Sequence, residues 1–88
     1  MTVAALELHG IRKEPNGSGL VIMATVFVAE REVGRSVWSC TVRCPAFFDS
    51  DKKIAGVDRE QALQLAKMFL LEMFEHHGVR ITETKYMS

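Results

Sequence analysis

Leu20-Val21-Ile22-Met23-Ala24-Thr25-Val26-Phe27-Val28-Ala29-Glu30 is the most β-prone stretch of this chain, and it is apolar on both of its faces. A strand with one wet face alternates apolar and polar residues. A run that is apolar at odd and even positions alike suits a central strand, or one whose outer face is covered by something else. The rest of the sequence can be read outward from it.

Upstream, residues 3–12 alternate. Ala4, Leu6 and Leu8 point one way and Glu7 and His9 the other, the period-two pattern of a half-buried strand. Glu14-Pro15-Asn16-Gly17-Ser18-Gly19 then marks a reversal, because proline presets φ and glycine accepts the positive φ of a tight turn. Downstream, Glu30-Arg31-Glu32-Val33-Gly34-Arg35 is a polar reversal. Residues 36–44 alternate again, with Trp38, Cys40, Val42 and Cys44 on one face and Ser39, Thr41 and Arg43 on the other. Pro45 ends that strand, since it has no N–H for the ladder. Three strands joined by short polar links read as an antiparallel meander.

Phe47-Phe48 and the charged loop Asp49-Ser50-Asp51-Lys52-Lys53 follow. Ile54-Ala55 would suit a short edge strand, and whether residues 46–56 add one stays open. The helix is the clearest element. Asp58 is a good N-cap, with Gln61 three residues later as in a capping box. Ala62, Leu63, Leu65, Ala66, Phe69, Leu70, Met73 and Phe74 cover about half the helix circumference, as on a helix lying flat on a sheet. Gly78 stands at the C′ position, with His76 and His77 in the last turn. Val79 and Ile81 leave a further strand within residues 79–84 open. The expectation is one α+β domain over residues 1–88: a three- to four-stranded antiparallel β-meander, then one long amphipathic helix packed on one sheet face.

Hydrophobic residues make up 48% of the 88 and charged residues 25%, which argues for a folded domain and against disorder. Eleven basic residues balance eleven acidic ones, so no net field draws nucleic acid or an anionic membrane. A core of this size supplies only a few kcal/mol unaided, and a net charge of zero removes self-repulsion; both favour association. The N-terminus has neither the basic nor the apolar region of a signal peptide. Leu20 to Ala29 is about half the length of a membrane helix. A cytoplasmic location is expected. Cys40 and Cys44 lie four apart on one strand, about 13 Å at ~3.3 Å per residue, beyond the ~7 Å a disulfide spans.

Candidate chemistry is weak at each point. Cys40 and Cys44 with His9, His76 or His77 do not form a zinc motif, because structural sites bring cysteines together in turns and use a second pair. A nucleophilic cysteine needs a nearby histidine, yet His9 falls on the opposite strand face. Asp49-Ser50-Asp51 lacks the glycine and the terminal glutamate of a calcium loop. The basic residues Arg12, Lys13, Arg31, Arg35, Arg43, Lys52 and Lys53 sit mostly in turns among acidic neighbours, with no aromatic platform. No catalytic residue, cofactor or metal is expected, and neither a membrane nor nucleic acid as partner.

The informative feature is the second sheet face. One helix covers the face of Leu6, Leu8, Trp38, Cys40 and Val42. The register of the central strand then decides whether Val21, Met23 and Phe27 or Leu20, Ile22 and Val26 turn outward. Val21, Met23, Phe27, Val37 and Arg43 are the candidate interface residues. An uncovered apolar stripe on a small domain marks an interface, with a homodimer as the expected partner and a second protein as the other. The bland alternative is that the Phe47-Phe48 loop folds over the stripe. Leu71 and Met68 fall on the polar side of the helix, as isolated exposed apolar residues commonly do.

Trp38-Ser39-Cys40 followed by Gly56-Val57-Asp58-Arg59-Glu60-Gln61-Ala62-Leu63-Gln64-Leu65-Ala66 resembles a family of small uncharacterised bacterial proteins, a domain of unknown function. Its members carry a W-x-C strand and a G-x-D-x-x-Q-A-L-x-L-A helix start. The resemblance implies a bacterial sheet-plus-helix domain and no activity. In this reading Gly56 permits the turn into the helix and Ala62 and Ala66 allow close approach to the sheet, so the motif specifies a fold rather than a reaction. The acidic cap and helix start are also similar to antitoxins of the HicB type, which would neutralise a toxin partner and touch nucleic acid. This chain lacks their proline-rich central segment and DNA-binding helix pair. The expected function is a non-enzymatic protein-interaction or regulatory module acting as a homodimer, with the HicB-like antitoxin as the alternative.

Overall fold

In the computed structural model, which describes residues 3–34 and 36–87, the turn at Pro15-Asn16-Gly17 joins strand β1 (Ala4–Lys13) to β2 (Gly19–Phe27). The Gly17 N–H donates to the Glu14 carbonyl at 2.9 Å, and the Glu14 N–H donates to the Ser18 carbonyl at 2.8 Å. Gly17 has φ of 90°, a conformation cheap only for glycine. The Asn16 side-chain oxygen accepts from the Ser18 N–H at 3.0 Å.

This closure fixes the parity of the hairpin. Glu14 and Ser18 face each other as a bonded pair, and bonded pairs recur at every second residue of an antiparallel ladder. Leu20, Ile22, Ala24 and Val26 therefore bond across to β1, their partners being Arg12, Gly10, Leu8 and Leu6. Gly19, Val21, Met23 and Thr25 direct N–H and C=O the other way. The Val28 N–H, which donates to the Val3 carbonyl at 2.7 Å, agrees with that parity.

The chain continues through β3 (Glu30–Arg31), β4 (Trp38–Arg43) and β5 (Lys52–Gly56), then helix α1 (Arg59–His76) and β6 (Val79–Tyr86). Among the described residues six strands form one antiparallel sheet in the order β3-β4-β2-β1-β6, with β5 also paired to β4. β2 meets β4 at Thr25↔Arg43 and Val26↔Val42, and β3 resumes the same edge one residue out of step at Glu30↔Ser39. β5 occupies the other edge, from Trp38↔Gly56 to Val42↔Lys52. The helix carries the chain across the sheet so that β6 pairs with the outer edge of β1.

The α+β class, with one helix among the described residues, is as the sequence indicates, but the sheet exceeds three or four strands. β5 is a real edge strand in which Ile54 is the one large apolar residue turned inward opposite Cys40. β6 runs eight residues, well past Ile81, because Glu7, Leu8 and Leu6 pair with Lys85, Thr84 and Tyr86.

The core lies between one sheet face and the helix. Leu6, Leu8, Ile22, Ala24, Val26, Cys40 and Val42 pack with Ala62, Ala66, Leu70 and Phe74, all essentially inaccessible. Each large apolar side chain removed from water contributes about 1.5–3 kcal/mol. The helix buries a line of residues four apart. Leu71 leans into the core, whereas Leu65, on the expected apolar arc, is exposed, as is Met68.

Both helix ends are closed by side chains and glycine. The Gln61 N–H donates to Asp58 Oδ1 at 2.7 Å, and Gln61 Oε1 accepts from the Val57 N–H at 2.8 Å, a reciprocal cap reaching one residue further back than Asp58. Gly78, with φ of 69°, follows the C-cap residue His77. Gly56 does not have a positive φ. It is required instead by proximity, since a methyl there would meet the backbone N of Ala62 at 2.5 Å. Among the described residues, no helix is long and apolar enough to cross a membrane.

Candidate functional site

The sheet face opposite the helix is built from alternate residues of β1, β2, β4, β5 and β6, with Lys85 and Glu83 of β6 beside Glu7 and His9. Across β1 and β2 the outward pairs are Glu7↔Thr25, His9↔Met23 and Ile11↔Val21. Across β4 and β5 they are Ser39↔Ala55 and Thr41↔Lys53. Most of this face is polar. His9 Nε2 lies 3.2 Å from Glu7 Oε1. Arg43 makes two bonds to Asp51, Nε to Oδ1 at 3.0 Å and Nη2 to Oδ2 at 2.9 Å. The guanidinium holds the Asp51 carboxyl below its ordinary range, and the carboxylate raises Arg43 in turn.

The apolar part is confined to the hairpin arm. Val21 is 69% exposed, Met23 51% and Ile11 38%, side by side on β2 and β1. The register therefore turns Val21 and Met23 outward and buries Ile22 and Val26. Phe27 does not share that exposure, because it is buried, with the Arg43 guanidinium 4.9 Å from its ring centre. Val37 is half-buried in the link before β4, where its carbonyl accepts from the Glu32 N–H at 2.9 Å. Of the five expected interface residues, Val21 and Met23 form the apolar patch, Arg43 is engaged by Asp51, and Phe27 and Val37 lie elsewhere. Ile11 completes the patch. Its signal was present in the sequence, since it continues the outward series of Glu7 and His9.

The Phe47-Phe48 loop does not cover the patch. Phe47 lies on the helix side, 5.5 Å from the Phe74 ring and stacked 4.3 Å from His77, while Phe48 stands 6.0 Å from Phe69.

The edge of the arm is as informative as its face. β4 touches β2 only at Thr25 and Val26. On that side, no strand among the described residues pairs with Gly19–Ala24, so the N–H and C=O of Gly19, Val21 and Met23 line an open edge.

Elsewhere the chemistry is modest. Cys40 and Cys44 are free and buried, and burial pushes both thiols up, opposed at Cys44 by the N–H groups of Ala46 and Phe47. Buried neutral thiols of this kind are poor nucleophiles. Among the described residues no three His, Cys, Asp or Glu side chains converge as metal ligands. A shallow depression lined by Trp38, Asp58, Arg59, Glu60 and Leu63 opens beside the start of the helix. Its own Arg59 guanidinium stands 5.2 Å from the Trp38 ring. Farther along, Lys67 donates to the Tyr86 hydroxyl. Compared with known proteins, the chain matches no family model, and no curated protein or solved structure is significantly similar to it.

Proposed function

We propose that this chain is a non-enzymatic protein-interaction module that works as a homodimer. The observation that carries the reading is the patch of Ile11, Val21 and Met23, left exposed on the face opposite the helix while the nearby aromatic loop packs elsewhere. Contiguous exposed apolar surface on a small domain is a usual mark of an interface. Size and a net charge of zero point the same way. Two free, buried thiols suit a reducing compartment such as the cytoplasm.

Sedimentation over a range of concentrations tests the reading. The mass should rise above that of the 9.9 kDa chain as concentration increases. Val21→Lys, which places a charge in the middle of the patch without touching the core, should hold the protein at the monomer mass with an unchanged circular dichroism spectrum. A mass of 9.9 kDa at every concentration would falsify the homodimer.

A further inference from the structure

Among the described residues the free side of the two-residue β3 is charged through Glu30 and Arg31, and the three longer sheet edges differ in a way that identifies how two copies would meet. The outer edge of β5 carries Lys52 and Lys53, and β6 carries Arg80, Glu83 and Lys85, all exposed. Charged residues on an edge are a common defence against pairing with another chain. The third edge, the unpaired side of Gly19–Ala24, has no charge, no proline and no bulge within it. At its centre stand Val21 and Ile22, two β-branched residues of high β preference. An undefended edge is a template for one more strand.

From this contrast we infer that two copies join edge to edge along β2, antiparallel about a two-fold axis at Val21, making one continuous sheet through both subunits. The inference rests on the homodimer reading and specifies its geometry.

Three observations select this arrangement. The first is parity. Gly19, Val21 and Met23 are the residues whose N–H and C=O face the open edge. Antiparallel pairing of Val21 with the partner's Val21, and of Gly19 with the partner's Met23, brings these groups together as bonded pairs and gives six main-chain hydrogen bonds. A one-residue slip would pair edge-facing residues with residues whose amides are already bonded to β1.

The second is shape. Gly19 presents no side chain on the outer face, and Ile11 lies directly beside it, since a Cβ on Gly19 would stand 2.9 Å from Ile11 Cγ2. The partner's Met23, opposite Gly19, finds that gap with Ile11 as its apolar floor. Each subunit's Met23 and Ile11 are thereby covered by the same pairing that satisfies the backbone. Beyond Gly19 the chain enters its turn at Ser18, so the seam stops before it reaches the partner's Arg43, which already occupies the lane beside Thr25.

The third is the remaining outer face. Stacking two sheets face to face would bury Glu7, His9, Thr41, Arg43 and Lys53 against a second copy, at a large desolvation cost. Edge pairing leaves them in water. The seam is five residues, about 17 Å at ~3.3 Å per residue. A single strand pair of that length covers only a narrow strip beside the ~800 Å² per partner of a standard interface, so the dimer is weak and concentration-dependent.

The decisive variant is Met23→Pro, which deletes an N–H that faces the open edge and takes no part in the β1 ladder. Proline is tolerated at such an edge position. Two hydrogen bonds are lost per dimer, so dissociation should become about ten- to a hundredfold easier by sedimentation, with the monomer's spectrum retained. Met23→Ala keeps the amide and should weaken the dimer less. A native dimer that Met23→Pro leaves intact overturns the edge geometry while sparing the homodimer reading; a native protein that never associates overturns both. Should Met23→Pro fail to fold, hydrogen exchange on the native protein decides. The Val21 and Met23 amides should become more protected as concentration rises, and protection independent of concentration in a protein that does dimerise sinks the edge model.

Discussion

Gly56→Ala sets two physical effects of opposite sign against each other. Gly56 ends β5 with an ordinary negative φ, so an alanine there would reduce the freedom of the unfolded chain and, on that ground alone, stabilise by about 0.4–1 kcal/mol. The added methyl, however, would lie 2.5 Å from the backbone N of Ala62, 2.8 Å from its Cα and 3.1 Å from its Cβ. The first two are main-chain atoms of the first helical turn and cannot swing aside by a rotamer change. Overpacking a dense site costs about 1–3 kcal/mol. With backbone as the obstacle the cost lies at the upper end, leaving a net loss of about 2 kcal/mol. For a domain of this size each kcal/mol moves the melting temperature by about 4–8 °C, so thermal unfolding followed by far-ultraviolet circular dichroism should fall by roughly 8–16 °C. Adding Ala62→Gly removes only the Cβ contact and should not restore stability. A melting temperature equal to or above that of the native protein would refute the close approach of helix and strand.

Asp58→Ala removes the acceptor of the 2.7 Å bond from the Gln61 N–H and should cost about 1 kcal/mol, read as a melting temperature lower by about 4–8 °C; Asp58→Asn should recover most of it. Cys40 and Cys44 should react with a thiol reagent at neutral pH only as fast as the protein opens, with full labelling in denaturant, and immediate labelling of the native protein would contradict their burial. Because burial raises both thiols in the folded chain, the unfolded chain loses its thiol protons first. Stability that is complete below the ordinary thiol range should therefore decline as pH rises through and above it, which denaturant midpoints between neutral and alkaline pH would reveal.

The helix was the most legible element because its ends are determined by single side chains. Asp58, Gln61 and Gly78 act within one turn of their own backbone, so no distant contact is needed to read them. The strand from Trp38 onward was legible for the same reason, since one inner face repeats through Cys40 and Val42. β6 was only half visible. Val79 and Ile81 carry the apolar signal, but the register shifts at His9/Gly10, and Thr84 and Tyr86 then take the inward positions. A bulge reverses the parity of a strand, and the apolar pattern after it no longer announces the pairing. The sequence marks Gly56 as a turn residue, whereas it is needed because α1 returns against β5, a contact that depends on how the whole chain folds.

The face and the edge of β2 differ in the same respect. That β2 is apolar on both sides could be read directly, but which side is wet depends on the parity set at Glu14 and Ser18 by the first turn. The open edge depends on a length mismatch. β2 has nine residues and β4 six, and Pro45 lies two residues past the Arg43 that pairs with Thr25. Proline cannot donate to the ladder, and the carbonyl of Cys44 is already taken by the N–H groups of Phe47 and Phe48 at 3.0 and 3.1 Å. The chain is thus diverted toward the helix just where it would otherwise have run on beside Met23 and Val21. The aromatic loop that could have screened the patch is committed to Phe74, His77 and Phe69 by that same diversion. One proline therefore accounts for two features, the early end of the β4 pairing along β2 and the exposure of the apolar arm, and it joins the candidate surface to the packing of the core.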